Sequence, residues 1–314
     1  MGRTWHRALS GAPLFFEPVP PAARLSAERI ERQTHAVADL VTAVERIDAI
    51  NVPELVDENH EGRPRYRSGD VRAYARTLAV TTGREVVVNK VVAHLDDEPA
   101  LRRWAEECVE LGLRHAVLVG GSSRYIPYPG PPVVEANRIC APVFSAAQGG
   151  IGNIAIPQRT GEAHRMLAKT IAGASFFTTQ ILFDAVAPLA TIEAYDQLCV
   201  EAHRAPAPVL LSVAPLIDES DVEFVRWLGA DVPEAVEHRI LAGGDSDFEG
   251  AAQRSTERAL DVWRAVEAGA IRGHLSVPIG VNVEQLSIRH LAHAGRMAES
   301  IAAVLPPVRS ESPT

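Results

Sequence analysis

The chain has 314 residues, 46% of them hydrophobic and 23% charged, enough for a large folded core and a length suited to two ordinary domains or one α/β barrel. Forty acidic residues against 31 basic ones give a formal net charge of -9, the wrong sign for binding nucleic acid through counterion release. No apolar run approaches the ~20 residues that cross a bilayer, and the opening stretch lacks the regions of a signal peptide. The expectation is a cytoplasmic protein with neither nucleic acid nor membrane as partner.

Apolar runs alternate with amphipathic stretches along nearly the whole sequence, the pattern of repeated βα units around a parallel sheet. Strands are predicted at 14–17, 47–52, 86–93, 115–121, 153–158, 176–184, 209–215 and 275–282. Helical periodicity appears between them at 27–44, 71–80, 100–111, 163–172, 191–202 and 220–228. Eight such units predict a closed (β/α)8 TIM barrel rather than an open doubly wound sheet. The segment 53–69 has charges, Gly62 and Pro64 but no periodic face, and reads as a long loop. Extra helices are predicted after the seventh strand, at 233–240 and 248–267. One barrel domain over 1–305 and a disordered Pro/Ser-rich tail over 306–314 complete the expected organisation.

Chemistry in such barrels gathers at the carboxyl ends of the strands. The polar residues predicted there are Glu17, Asn89, Lys90, His94, Ser122, Gln158, Gln180, Asp184 and Asn282, with helix capping as the competing role for Ser122 and Asp184. Only two lysines occur, Lys90 and Lys169. Lys90 falls within an apolar strand, facing either the barrel interior, with Glu17 as partner, or the helical layer. Cys108, Cys140 and Cys199 have no paired spacing and read as packed thiols. The histidines show no His-x-His or His-Glu-x-x-His spacing, so no metal site is expected.

Several segments resemble a known family. Phe15-Phe16-Glu17-Pro18-Val19-Pro20-Pro21 is similar to the opening signature of the methylenetetrahydrofolate reductases. The run 111–121, ending Val119-Gly120-Gly121, is similar to the entry to that family's fourth strand. The longest match joins Ala155-Ile156-Pro157-Gln158 to the run 167–184, with its order Lys169, Ala172-Gly173-Ala174, Thr179-Gln180 and Phe183-Asp184. Ser212-Val213-Ala214-Pro215 resembles the seventh strand. The matches extend from about residue 13 to 285.

The resemblance implies a (β/α)8 barrel that delivers hydride from NADH or NADPH to the methylene carbon of a folate-like small molecule. Glu17 would be the catalytic acid, protonating the nitrogen released when the ring opens, and Gln180 would hydrogen-bond the heterocycle with its amide. Ser122, Lys90 and Asn282 are further candidates for substrate binding. Gly120, Gly121, Gln158 and Lys169 stand where the family approaches its cofactor, with turn geometry and a solvated helix face as competing roles for the glycines and the lysine. The chain departs from the family at Gly120-Gly121-Ser122, where Arg-Gly-Asp is usual, and at Ile156-Pro157-Gln158, where Tyr-Pro-Glu is usual. FAD binding is therefore expected to be weak or absent, with hydride passing directly from NAD(P)H. The competing reading is a family barrel that performs non-redox acid-base chemistry, such as cyclisation, isomerisation or C–N cleavage. A third is a folate-binding protein without catalysis. Oligomeric state is left open.

Overall fold

A computed structural model describes residues 5–123, 125–244 and 246–306. Eight parallel strands close on themselves: β1 (Leu14–Glu17), β2 (Ala49–Val52), β5 (Glu85–Val91), β6 (His115–Val119), β7 (Gly150–Ala155), β8 (Ala174–Thr179), β9 (Val209–Val213) and β10 (Ile279–Glu284). Each lies beside its predecessor, and β1 closes the ring against β10. This is the predicted TIM barrel. Around it run α2 (Ala27–Ala43), α3 (Val71–Thr82), α4 (Glu98–Glu110), α5 (Val133–Ala146), α6 (Glu162–Ile171), α7 (Val186–Glu201) and α8 (Glu219–Trp227), then the added α9 (Glu234–Ile240) and α10 (Phe248–Arg272), and finally α11 (Leu291–Val304). A short α1 (Trp5–Leu9) precedes the first strand.

Strand alternation divides the wall into two faces. Leu14, Phe16, Val86, Val88, Val281 and Val283 pack outward in the main core with the helices, whereas Phe15, Ala49, Val87, Val117, Phe176 and Leu210 fill the barrel itself. Trp5 stacks on His115 at 3.7 Å between ring centroids and packs on Phe15 and Phe176, closing the amino-terminal end with α1. Aspartate and serine caps begin many of the helices. Asp70, Asp97, Asp218 and Asp247 each accept a backbone N–H of the first turn, as does Ser26, satisfying donors that the helix itself leaves unpaired.

Three expectations require correction. The strand predicted at 153–158 begins earlier, at Gly150, where glycines hide the pattern. A Cβ on Gly152 would come within 2.4 Å of the Phe176 ring that fills the barrel beside it. Segment 53–69 is not all loop, because β3 (Val56–Glu58) and β4 (Pro64–Tyr66) pair antiparallel across a turn in which Gly62 has φ +76° and Asn59 Oδ1 accepts two backbone N–H groups. Three-residue strands are too short to show a period. The last strand is displaced to Ile279–Glu284 and so carries Glu284, which the predicted range omits. The proposed disordered tail, apart from Pro306, lies outside the described residues.

Among the described residues no helix is long and apolar enough to cross a membrane. Cys108, Cys140 and Cys199 are buried free thiols, and burial pushes the first two up to about 12.

Candidate active site at the barrel mouth

Above the apolar plug the barrel interior turns polar. Continuing the same alternation, the inward positions near the strand ends are Glu17 on β1, Asn51 on β2, Asn89 on β5, Thr178 on β8, Ser212 on β9, and Asn282 and Glu284 on β10. Val119 and Ile154, on β6 and β7, pack against the inner cluster and make one side of the mouth apolar. The result is a polar arc facing an apolar wall.

Glu17 lies opposite Glu284 in the β1–β10 register. Its Oε2 accepts hydrogen bonds from Asn51 Nδ2 at 2.6 Å and Asn282 Nδ2 at 2.8 Å. The Asn282 amide also reaches Ser212 Oγ at 3.1 Å and Glu284 Oε1 at 3.4 Å. Loss of solvent around the carboxyl outweighs these two amide bonds and raises Glu17 to about 7. Glu284 is pushed well above the ordinary carboxylate range, by desolvation first and by the charge of Glu17 second. Such a carboxyl can hold or release a proton near neutrality, as acid chemistry requires.

Donating Nδ2 to the carboxyls fixes which way the amides point. Asn51 Oδ1 and Asn282 Oδ1 are then left buried without a partner, as are Asn89 Oδ1 and Thr178 Oγ1. Buried polar atoms are ordinarily paired, so these four atoms along one inner arc remain open to a donor.

The other predicted residues are placed differently. Lys90 faces outward and binds Glu54 Oε1 at 2.7 Å, while Glu54 Oε2 accepts the Val91 N–H at 2.8 Å. It is not a partner of Glu17. Lys169 lies between α6 and β7, donating to the Ile154 carbonyl at 2.7 Å with Glu162 at 3.6 Å, so it ties helix to strand rather than meeting a cofactor phosphate. Ser122 Oγ donates to Glu58 Oε2 at 2.6 Å. That carboxylate also takes Tyr128 OH at 2.5 Å and pairs with His94 at 2.9 Å, so Ser122 and His94 anchor the β3–β4 hairpin to the loops after β5 and β6. Gly121 lies under Tyr128, whose ring a Cβ would strike at 2.2 Å, and Gly120 lies against Val133. Gln158 is exposed on the turn after β7. These four cofactor candidates therefore form no cradle for a flavin. Asp184 caps α7 through the Val186 N–H at 2.8 Å.

Gln180 sits at the rim, where Nε2 donates to the Leu228 carbonyl at 2.7 Å and Oε1 accepts the Ile181 N–H at 2.9 Å. One amide hydrogen and one lone pair remain for a ligand. Asn51, Ser212, Thr178 and Glu284 were not predicted as site residues. For Asn51 and Ser212 the signal is a single polar residue within an apolar run near a strand end, as in Ile50-Asn51-Val52 and Leu211-Ser212-Val213, whereas Thr178 and Glu284 stand directly beside Thr179 and Gln285 and carry no such signal.

The two carboxylate-bearing strands lead into the wall of a cavity of about 490 Å³ at Val19 and Leu286, with Leu55, Phe224, Arg24 and Arg67 also lining it. On its rim, Ser287 Oγ meets His290 Nδ1 at 2.7 Å and His290 Nε2 meets Asp221 Oδ2 at 2.7 Å. Asp221 also takes Arg289 at 2.7 Å and the Ile217 N–H at 2.9 Å. This constellation clamps the loop after β10 onto α8. Among the described residues, no group of three or more His, Cys, Asp or Glu side chains is arranged to hold a metal ion.

No protein-family model matches the sequence, and a search of curated proteins returns no match. Among solved structures, an uncharacterized protein from Clostridium thermocellum, described as binding two copies of 5-methyl-5,6,7,8-tetrahydrofolic acid, is 15% identical with a TM-score of 0.74, covering 94% of this chain and 97% of its own. A 3-hexulose-6-phosphate synthase is 16% identical with a TM-score of 0.38, covering 78% of this chain and 98% of its own. A mutant tryptophan synthase α-subunit from Pyrococcus furiosus is 11% identical with a TM-score of 0.46, covering 80% and 99% respectively. At these identities the first likeness speaks for the fold alone.

Proposed function

We propose that the barrel mouth binds a folate derivative and transfers a proton to one of its ring nitrogens. The observation that carries this reading is the Glu17 carboxyl, raised to about 7 by desolvation and held by Asn51 and Asn282 beneath the mouth. The unpartnered Asn51, Asn89 and Asn282 oxygens suit the N–H edge of a reduced pterin, and Val119 and Ile154 suit its flat face. The arginine-bearing cavity lined by Val19 and Leu286, just beyond the ends of the two carboxylate-bearing strands, suits an aromatic linker ending in carboxylates. The likeness in fold to a protein described as binding methyltetrahydrofolate and the reductase-like motifs point in the same direction.

The activity proposed is reduction of a methylene-folate or related cyclic iminium compound by direct hydride transfer from NAD(P)H. Glu17 supplies the acidic site that assists C–N opening, after which hydride adds to the electrophilic carbon. A non-redox acid-base reaction on the same ligand class is the second reading. It is favoured by Lys169, whose ammonium is taken up by Ile154 and Glu162 and so is not offered to a cofactor phosphate.

The deciding experiment combines calorimetric titration with 5-methyltetrahydrofolate and an assay of NADH and NADPH oxidation with methylenetetrahydrofolate, with and without FAD. Binding plus oxidation supports the reductase. Binding without oxidation favours the second reading, and absence of binding removes both.

A further inference from the structure

We propose that Glu17 and Glu284 act as one acid pair sharing a proton, which makes Glu284 a second catalytic residue serving the same ligand nitrogen. This rests on the reading of the mouth as a nitrogen-heterocycle site. The two residues are direct neighbours in the β1–β10 register, face inward by alternation, and meet the same Asn282 Nδ2 at 2.8 Å and 3.4 Å. The polar groups of the neighbouring strands that face them, Asn51, Ser212 and Asn282, are neutral. Among the described residues, no lysine, arginine or histidine makes an ion pair with either carboxyl. Two adjacent carboxylates without a cation cannot both remain ionised cheaply, so one proton is retained by the pair.

The amides determine where it rests. Asn51 and Asn282 both donate to Glu17 Oε2 at hydrogen-bond distances of 2.6 and 2.8 Å, favouring the anion there, whereas Glu284 meets the Asn282 amide only at 3.4 Å. The resting proton therefore belongs on Glu284, and the raised affinities of both groups agree with that order. Such a pair titrates as a unit, and neither residue owns a separate step.

The arrangement suits a ring nitrogen whose basicity grows as its C–N bond breaks. The bond's electron pair goes to nitrogen, the proton leaves the pair for that nitrogen, and carbon is left as an iminium cation. The carboxyls, both ionised at that moment, face the new positive charge and stabilise it. Solvent returns the proton after the cation has been consumed.

The test begins on ligand-free protein, by infrared difference spectroscopy across a pH titration. At about pH 8.5, above the Glu17 titration, the wild type should keep a protonated-carboxyl band, and Glu284→Gln should remove it. Glu284→Asp should retain the band, which guards against a variant that fails to fold. A wild type without the band at that pH, or a band unchanged in Glu284→Gln, would overturn the pair. Calorimetry with 5-methyltetrahydrofolate in buffers of different ionisation enthalpy then reads the proton exchanged on binding. That exchange should differ between wild type and Glu284→Gln, and equal proton counts in the two would overturn the role of Glu284. If this ligand does not bind at all, the folate reading fails while the infrared result still judges the pair.

Discussion

Lys90 Nζ lies 2.7 Å from Glu54 Oε1 on the outer side of β5, while the adjacent Asn89 turns its amide into the barrel. The ammonium and carboxylate are each about one-tenth exposed, so removing one leaves a nearly buried charge alone, a change that costs about 3 kcal/mol. Lys90→Met is expected to lower stability by that order, as measured by urea unfolding. Ligand affinity should change less than twofold. A larger loss of affinity at unchanged stability would place Lys90 in the site after all.

That pair also shows how far the sequence could be read. The apolar run around Lys90 announced a strand, and eight such runs announced the barrel, because burial on both faces leaves long apolar signatures. Which way a side chain points depends on register, and a one-residue shift exchanges inside for outside. Lys90 and Asn89 are neighbours of opposite facing. Glu17 was legible because prolines follow it and stop its strand. Glu284 was not, since it becomes a site residue only when β10 is brought beside β1, more than 260 residues away in sequence. Ser122 and His94 were recognised as strand-end polar groups, but their partner Glu58 belongs to a hairpin with no sequence period.

The carboxyl pair should leave a mark on stability against pH. Glu17 is raised from 4.5 to about 7 in the folded chain, so the folded state holds a proton that the unfolded state has released between those values. Stability contributed by this group is therefore full below the unfolded value and declines as pH rises through about 7. The decline is about 3 kcal/mol at most, a ceiling set by the rise from 4.5 to about 7. Glu17→Gln should consequently be more stable than wild type at pH 8, with the advantage shrinking toward pH 4.5. Thermal melts across that range would show it, and a stability difference independent of pH would contradict the raised value.

Asn282 should tune the same titration in the opposite sense. Its amide stabilises the ionised form of Glu17, so Asn282→Leu should raise the Glu17 titration further. The variant should also weaken ligand binding at least tenfold, because Ser212 and both carboxyls lose a shared donor. NMR of carboxyl-labelled glutamate measures the first effect and calorimetry the second. A downward shift would show that the amide does not act on the carboxylate.

The Glu58 cluster should act on the hairpin rather than on chemistry. Glu58 is held below the ordinary carboxylate range: desolvation, the largest single influence, raises it, but bonds from Ser122 and Tyr128 and the His94 charge together outweigh that effect. Its contribution is present above the unfolded value near 4.5 and is lost as pH falls through the lower folded value. Tyr128→Phe removes one of the bonds, worth about 1–3 kcal/mol to a charged acceptor. Hydrogen exchange should then quicken across 56–66 while the barrel strands keep their protection. Uniform loss of protection would mean that the cluster supports the whole barrel.

The cavity arginines offer the sharpest test of which part of the ligand lies where. Arg24 and Arg67 line the cavity of about 490 Å³, with Arg67 3.9 Å from Asp57, whereas Arg289 makes three contacts with the Asp218 and Asp221 carboxylates and one with Ser220 Oγ. The first two are thus the arginines with charge to offer a carboxylate tail, and Arg289 is a brace for the rim. Arg24→Ala and Arg67→Ala should each weaken 5-methyltetrahydrofolate several-fold, with the loss growing at low salt because the contacts are solvent-facing. A reduced pterin lacking the aminobenzoyl-glutamate tail should bind wild type and both variants alike. Equal losses for the two ligands would put the arginines against the heterocycle. Unchanged affinity for the complete ligand would move its tail out of this cavity.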